Sequence, residues 1–529
     1  MRLIVKEYIA QLREKDELDI LLSRIYEQKG FVADSQPKTG NRQFGVDIQM
    51  HNSKELVFFV VKQGNIDRKV WSSDANAVRQ SLDEIKDVAI NQLTASERKK
   101  KIKIRVASNG YIEEAVMMNW KGYIRSNTIW SGISVDIDFI GIDDIVDMVI
   151  TYFFNENLFA DELKSDLRKA MYFVGEGNYK QKYYERIIDT LIEGIKAGES
   201  SKKKFDKVCA TLYLSSQMIC SYAHEERHDK TAIMVSEYVI IRYWKYLLEA
   251  KHLGKERYID WLIKFCKCYE RWNESYCSKL KSVADSESSL PAYNILENRV
   301  QIYEHLGFLA SYACYLMNTK PEHSKWVQNI IIGIINRYPQ YEYAPYDSDV
   351  RVIIMIYRLL KHNGNVKDIS AIMQWQARIL AEYYRREGKY PAQSDSFEEA
   401  VAIEMKQAKE PYVTSAFWGY YLLLICIMDD RKLYELLFDF LRNDIKDVTK
   451  CVWFMRSNEE LQFYDRYAMN AGGEGVEVQL AENYDTFRER TQYILQQYDK
   501  EKMSFDEYCF EGLEMIVCRY YGYIPRVKF

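Results

Sequence analysis

The sequence predicts an α/β domain at the N-terminus, followed by a large all-α region arranged as a helical bundle or an α-solenoid. The chain has 529 residues, which is more than a single hydrophobic core usually supports. Strand patterns occur only in the first part of the chain, and after about residue 160 the apolar spacing is helical. We therefore place one domain at 1–158 and a second at 159–529. Turn-rich breaks at 283–291 and 338–348 predict a further division of the second domain.

The elements of the first domain follow from apolar spacing and turn residues. Residues 16–29 carry apolar side chains at helical spacing, and Gly30 ends that helix. The same criteria predict strands at 31–35, 44–51, 55–63, 101–107 and 133–140, and helices at 74–93, at 111–120 and from Asp143 onward. The order α-β-β-β-α-β-α-β-α predicts a small mixed sheet covered by helices.

Composition limits the classes of protein to which the chain can belong. A hydrophobic fraction of 47% and a charged fraction of 28% are typical of a globular protein. Charges interrupt the N-terminal apolar stretch, no run is long enough to span a bilayer, and the ten cysteines are widely scattered. These features predict a cytoplasmic protein with reduced thiols and no membrane contact. Because the net charge is -4, binding to nucleic acid would need a local basic patch.

Two residues on neighbouring predicted strands are the candidate catalytic residues. Asp47 follows Gly45 in the segment KTGNRQFGVDIQ, and Lys62 ends the apolar run FFVV. A short turn joins the two strands, so we expect the two side chains to lie close together if they point to the same face. A carboxylate binds Mg²⁺, and an ammonium group orients water or stabilises a charged phosphorane. The pair therefore predicts metal-assisted phosphodiester hydrolysis. A lone Asp after Gly on a strand is a common structural feature, whereas a lysine at the end of a central strand is rarely found without a charge partner.

This arrangement resembles the PD-(D/E)XK nuclease superfamily, in its Mrr-like and anti-phage defence-effector branches. The resemblance covers roughly residues 10–150. It implies a restriction-endonuclease-like fold and an endonuclease that cleaves DNA with Mg²⁺ or Mn²⁺. Mrr-like proteins carry an acidic residue eleven positions before the glycine that ends the first helix, and the same count from Gly30 reaches Asp19. The resemblance thus implies Asp19 as a further catalytic and metal-binding residue, with Glu17 next in line.

One position departs from the superfamily pattern. Val60 stands two residues before the lysine, where the superfamily usually has a Glu or Gln ligand. Either a carboxylate of the first helix replaces that ligand, or the metal site is incomplete. The alternative function is therefore a non-catalytic protein that has a degenerate nuclease fold and binds nucleic acid or another protein.

Basic residues near the predicted centre are candidates for contact with a nucleic-acid backbone. The candidates on flanking turns are Lys38, Arg42, Arg68 and Lys69. The run at 98–103, RKKKIK, is equally well explained as solvated loop charge. DNA is the substrate that the resemblance implies, and the residues themselves do not exclude RNA.

The region after residue 158 is rich in tyrosine, a residue that suits helix packing and interfaces. The resemblance implies the layout of a prokaryotic anti-phage effector that is controlled by a protein partner such as an ATPase subunit, or that self-associates through its helical region. His224 and His228 form an H-E-x-x-H pattern, but the charged residues between and after them predict a solvated helix end rather than a zinc site.

Overall fold

The computed structural model describes most of the chain, with gaps at several connections. The described residues are 2–35, 44–74, 76–154, 161–175, 181–199, 201–290, 294–338, 344, 346–364, 366–387, 394, 396–405, 413–466, 474–500 and 502–527. They form two compact units, Met1–His228 and Asp229–Phe529. The predicted boundary after residue 158 separates the sheet from helices that belong to the same compact unit.

A six-stranded mixed sheet forms the centre of the first unit. Its strands are β1 (Val32–Ser35), β2 (Ile48–His51), β3 (Glu55–Lys62), β4 (Lys101–Ser108), β5 (Ile129–Trp130) and β6 (Ile133–Ile140). The spatial order is β1-β2-β3-β4-β6-β5. β1, β2 and β3 pair antiparallel, β3, β4 and β6 pair parallel, and β5 pairs antiparallel with β6. The predicted mixed sheet is thus present.

Helices cover both faces of this sheet. The helices of the first unit are α1 (Arg2–Gln11), α2 (Asp19–Gln28), α3 (Arg68–Ser72), α4 (Val78–Glu84), α5 (Glu114–Ser126), α6 (Ile142–Phe153), α7 (Asp161–Gly175), α8 (Lys182–Gly198) and α9 (Lys202–Glu225). Of these, α9 packs on α1, α2 and α6, and α7 packs on α8 and α9. On one face, Leu56, Phe58 and Val60 of β3 join a core with Trp71 and Trp120. On the other face, Phe59 packs edge-on against Tyr26 of α2. Because β3 is buried on both faces, only its ends can present polar groups.

Two predicted elements differ from the observed ones. The second strand begins at Ile48 rather than at residue 44, because Phe44 and Gly45 both adopt left-handed backbone angles, φ 49° and 75°. The helix predicted at 74–93 consists of α4 followed by a wider helical turn, Ile85–Ala89, and the short α3 precedes it. Both differences reflect local backbone geometry that apolar spacing does not report.

The second unit is predominantly helical, as predicted. Its helices are α10 (Asp229–Glu249), α11 (Glu256–Ala284), α12 (Ile295–Leu316), α13 (Pro321–Arg337), α14 (Val350–His362), α15 (Val366–Glu387), α16 (Phe397–Glu404), α17 (Ala416–Met428), α18 (Arg431–Asp439), α19 (Glu460–Phe463), α20 (Tyr484–Lys500), α21 (Ser504–Glu507) and α22 (Gly512–Tyr521). The prediction of an all-α region is wrong in one respect, because a three-stranded sheet is also present. Its strands are β7 (Thr414–Ser415), β8 (Thr449–Phe454) and β9 (Glu474–Glu477). β7 and β9 are too short to give a clear alternation pattern.

Among the described helices, none combines the length and the apolar composition that a bilayer crossing requires.

Candidate active site

A β-bulge places Asp47 beside the end of β3. Its amide donates to the Phe59 carbonyl oxygen at 2.9 Å, although the strand pairing matches Phe59 with Ile48. Two consecutive residues thus oppose one, which is the arrangement of a bulge and a frequent means of aiming a side chain near an active site. One carboxylate oxygen of Asp47, Oδ2, accepts a hydrogen bond from the Val61 amide at 2.7 Å. The carboxylate is therefore held against the backbone of β3.

Gly45 allows the segment before this bulge to pack closely against α4. Its φ of 75° lies in the left-handed region, and a Cβ at this position would lie 2.3 Å from the Ser81 carbonyl oxygen. Any side chain would collide with the backbone of α4. The glycine of the G-V-D segment is thus required by close packing two residues before the carboxylate.

Lys62 occupies the last position of β3, opposite Ser108 of β4. It is buried, with 7% of its surface exposed. Burial raises the pKa of the Asp47 carboxyl above its ordinary value, and the Val61 hydrogen bond and the positive charge of Lys62 oppose that rise. The two residues predicted from the sequence therefore interact electrostatically at one edge of the sheet.

A carboxylate that the sequence argument did not select also reaches this edge. Glu14 Oε1 lies 3.4 Å from Lys62 Nζ, and its negative charge contributes to the raised pKa of Asp47. Glu14 belongs to the acidic turn, which we define as residues 13–18 and which connects α1 to α2. The sequence signal is the acidic segment EKDE at residues 14–17, of which only the last two residues fall within the helix predicted from residue 16.

The predicted ligands Glu17 and Asp19 make contacts within or next to the acidic turn. Glu17 accepts hydrogen bonds from the Arg13 guanidinium at 2.8 and 3.0 Å and from the Arg13 amide at 2.8 Å. Asp19 is 3% exposed and accepts from the Ile20 amide at 2.7 Å. Burial raises the pKa of Asp19. Their assignment as metal ligands stays a prediction.

The basic residues that were predicted to contact nucleic acid do not lie together in the structure. Arg68 and Lys69 are exposed in the first turn of α3, and Lys69 lies 3.6 Å from Asp74. Lys38 and Arg42 lie outside the described residues. The basic run at 98–103 lies at the start of β4, whereas Lys62 pairs with Ser108 at the end of that strand. At a rise of about 3.3 Å per residue, Lys101 is about 23 Å from Ser108 along that strand. That run is therefore remote from Lys62.

The donor atoms at the site fit a small divalent cation in number and type, without forming a complete cage. Within the described part of the chain, Asp47 Oδ1 accepts no hydrogen bond, and Glu14 contacts only Lys62 through its side chain. Carboxylate oxygens are the ligands that Mg²⁺ prefers, and one or two of them suffice when substrate phosphate completes the shell. No group of three or more His, Cys, Asp or Glu residues suited to a metal is found among the described residues.

The H-E-x-x-H segment does not have the geometry of a zinc helix. α9 ends at Glu225, and Arg227 has a left-handed φ of 63°. His224 therefore lies in the last helical turn, whereas His228 lies beyond it. Both imidazoles are partly exposed, so the predicted helix end is confirmed.

The chain matches no family model, no curated protein and no solved structure. The function must therefore be inferred from the residues at this edge of the sheet and from their contacts.

Proposed function

We propose that the first unit is a metal-dependent endonuclease that hydrolyses phosphodiester bonds of DNA, with Mg²⁺ or Mn²⁺ as the cofactor. The observation that carries this proposal is the meeting of Asp47, Glu14 and Lys62 at the end of a buried strand. Two carboxylates and one ammonium group lie together there, and carboxylate oxygens remain without hydrogen-bond donors among the described residues. A buried lysine beside partly buried carboxylates with such spare oxygens is a candidate functional site.

Each residue has a defined task in this proposal. Asp47 and Glu14 would hold the cation, and the Val61 amide keeps Asp47 in place. A bound divalent cation polarises the phosphoryl oxygen and increases the acidity of its water. Lys62 would place its positive charge beside the negative charge that develops on the phosphate. Since Lys62 is buried, that charge acts with little screening by solvent.

In this proposal, a residue from elsewhere in the chain supplies the second metal ligand that Val60 cannot provide. Val60 is fully buried in the apolar core, so its side chain offers no ligand. Glu14 supplies a carboxylate at the same edge and is the first choice for the second ligand. Asp19, which the resemblance implies, is the second choice. A substitution series on these two residues separates them.

The exposed Arg68 and Lys69 remain the candidates for contact with the DNA backbone. The function as an anti-phage effector in the cytoplasm, controlled by a protein partner such as an ATPase subunit, belongs to the proposal through the family resemblance alone. We assign the tyrosine-rich second region to sensing or assembly on the same basis.

One observation favours the second candidate function, a non-catalytic protein that binds nucleic acid or another protein. The described residues lack a group of three metal-binding side chains, as expected for a degenerate site. Such a protein would bind DNA without cutting it. It would also tolerate the loss of Asp47 with no change in that binding.

The test is incubation of the full-length protein with supercoiled plasmid and Mg²⁺ or Mn²⁺, with EDTA as the control. A single-stranded RNA of mixed sequence is assayed in parallel to identify the nucleic acid that is cut. We expect nicked and linear plasmid in the presence of metal, and no cleavage by Asp47→Asn or Lys62→Met. Intact plasmid with either metal, or equal cleavage by wild type and Asp47→Asn, would rule out this centre.

A further inference from the structure

The acidic turn holds a lysine beside the candidate site. Lys15 has extended backbone angles, φ -97° and ψ 143°, and the next residue, Asp16, is left-handed with φ 67°. These angles break the helix between α1 and α2. The side chain of Glu14 contacts Lys62, while Lys15 is exposed.

Hydrogen bonds fix this turn at both ends. The Leu18 amide donates to the Arg13 carbonyl oxygen at 3.0 Å, and Glu17 closes the same loop by binding the Arg13 guanidinium. At the end of α1, the Asn109 amide group donates to the carbonyl oxygens of Ile9 and Leu12 at 3.0 and 2.7 Å. Asn109 directly follows β4, so the sheet anchors the segment that presents Glu14 and Lys15.

The charge of Lys15 acts on the site but is not neutralised there. Lys15 directly follows Glu14, whose carboxylate contacts Lys62, and its positive charge opposes the rise in the pKa of Asp47. The structure gives Lys15 no salt bridge and no hydrogen-bond acceptor among the described residues. Lys62, by contrast, is buried and faces Glu14. Lys15 is thus an exposed cation of the site that is available to an anion from solution.

A phosphodiester approaching this edge meets the carboxylates of Asp47 and Glu14, which repel it. A bound divalent cation offsets that repulsion at the bond that is cut, but the neighbouring phosphates of the strand also carry charge. A lysine on a fixed turn beside the carboxylates can attract one of those phosphates. Contacts with phosphate determine the register of a nucleic acid on a protein without reading its sequence.

We propose that Lys15 binds a backbone phosphate of the nucleic acid next to the bond that is cut, and so positions the strand over Asp47. This inference rests on the proposed nuclease function and adds a substrate contact to it. Lys15 acts through its permanent positive charge, and arginine at this position would preserve that charge.

The test compares Lys15→Ala and Lys15→Arg with the wild-type full-length chain, using a fluorescein-labelled DNA duplex of mixed sequence. We expect Lys15→Ala to raise KM about 10-fold, as for loss of one charge-assisted hydrogen bond, with little change in kcat. The slope of log(kcat/KM) against log salt concentration should fall in magnitude by about 0.9, which corresponds to one lost phosphate contact. Lys15→Arg should restore both quantities.

The matched control is Lys54→Ala, which removes an exposed lysine just before β3, at the end of that strand opposite Lys62. It should leave KM and the salt slope at wild-type values. If the wild type cuts the duplex and Lys15→Ala has the wild-type salt slope, the contact is absent and the nuclease function stands. If the wild type cuts nothing with either metal, the proposed function fails and this inference fails with it.

Discussion

Both units bury charged side chains, but the two sets of charges are satisfied to different degrees. In the second unit, Glu514 is 1% exposed and lies between two arginines. Its Oε2 accepts from Arg358 at 2.7 Å, and its Oε1 accepts from the amide and Nε of Arg526 at 2.8 and 3.0 Å. Arg526 also binds Asp506 at 2.9 Å. In the first unit, Lys62 and Glu14 share one contact of 3.4 Å, and one oxygen of Asp47 has no donor among the described residues.

This difference separates a structural use of charge from a chemical one. A buried ion that makes all its hydrogen bonds has no remaining capacity to bind a ligand, and it contributes to the fold through its partners. A partly buried carboxylate with a spare oxygen keeps a desolvation cost that a cation can relieve. The same residue types thus support packing in one unit and keep oxygen atoms without described donors in the other.

The largest expected effect is on chemistry at the end of β3. Asp47→Asn removes the charge that would hold the cation, and Lys62→Met removes the charge beside the phosphate. We expect each substitution to lower kcat by about 10³-fold, as for the loss of a group that stabilises transition-state charge. Single-turnover cleavage of a labelled duplex measures this. Activity within a few-fold of wild type in either variant would contradict the proposed roles.

The reciprocal change concerns stability in the second unit. Glu514→Ala leaves two buried guanidinium groups without their shared partner, so we expect a loss of about 3–5 kcal/mol in the free energy of unfolding. Asp47→Asn, as the comparison variant, should lose much less unfolding free energy, because the Asp47 carboxylate of the wild type accepts a single hydrogen bond. Chemical denaturation followed by circular dichroism gives both values. A larger loss in Asp47→Asn than in Glu514→Ala would reverse the comparison.

Much of the fold could be predicted because its signals are local. The mixed sheet followed from apolar runs, and Lys62 was recognised because it ends such a run. Apolar spacing does not encode the bulge at Asp47 or the close packing of Gly45 against α4. Glu14 was missed because it meets Lys62 across 48 positions of sequence. The strands β7 and β9 were missed because two to four residues give no usable periodicity.

A smaller effect on the cleavage rate distinguishes the carboxylate of Glu14 from that of Asp19. Glu14 contacts Lys62, whereas the hydrogen bond of Asp19 is local, so Glu14→Gln should reduce cleavage about 10²-fold, a typical effect of losing one charged group at a site. Asp19→Asn should reduce it less. The family resemblance predicts the opposite, full loss with Asp19→Ala. Cleavage rates of these variants decide which residue acts as the ligand.

The pH dependence of Mn²⁺ affinity compares the charges of Lys62 and Glu14. Since burial raises the pKa of Asp47, protonation should weaken Mn²⁺ binding at a higher pH than for an ordinary carboxyl group. Lys62 lowers this pKa and Glu14 raises it. The midpoint of the loss should therefore move to higher pH in Lys62→Met and to lower pH in Glu14→Gln. Mn²⁺ affinity measured across the acid range tests both directions, and shifts of the same sign would contradict this assignment.

Calorimetric titration of Mn²⁺ into the full-length chain is the most direct test of the central claim. The claim is that the carboxylate with a spare oxygen, Asp47, binds a cation, whereas the fully paired Glu514 does not. Wild type and Glu514→Gln, the conservative change in the second unit, should each bind Mn²⁺ at a site near the end of β3. Asp47→Asn should lose that binding. Equal Mn²⁺ binding by Asp47→Asn and wild type, or no saturable binding by wild type, would contradict the account.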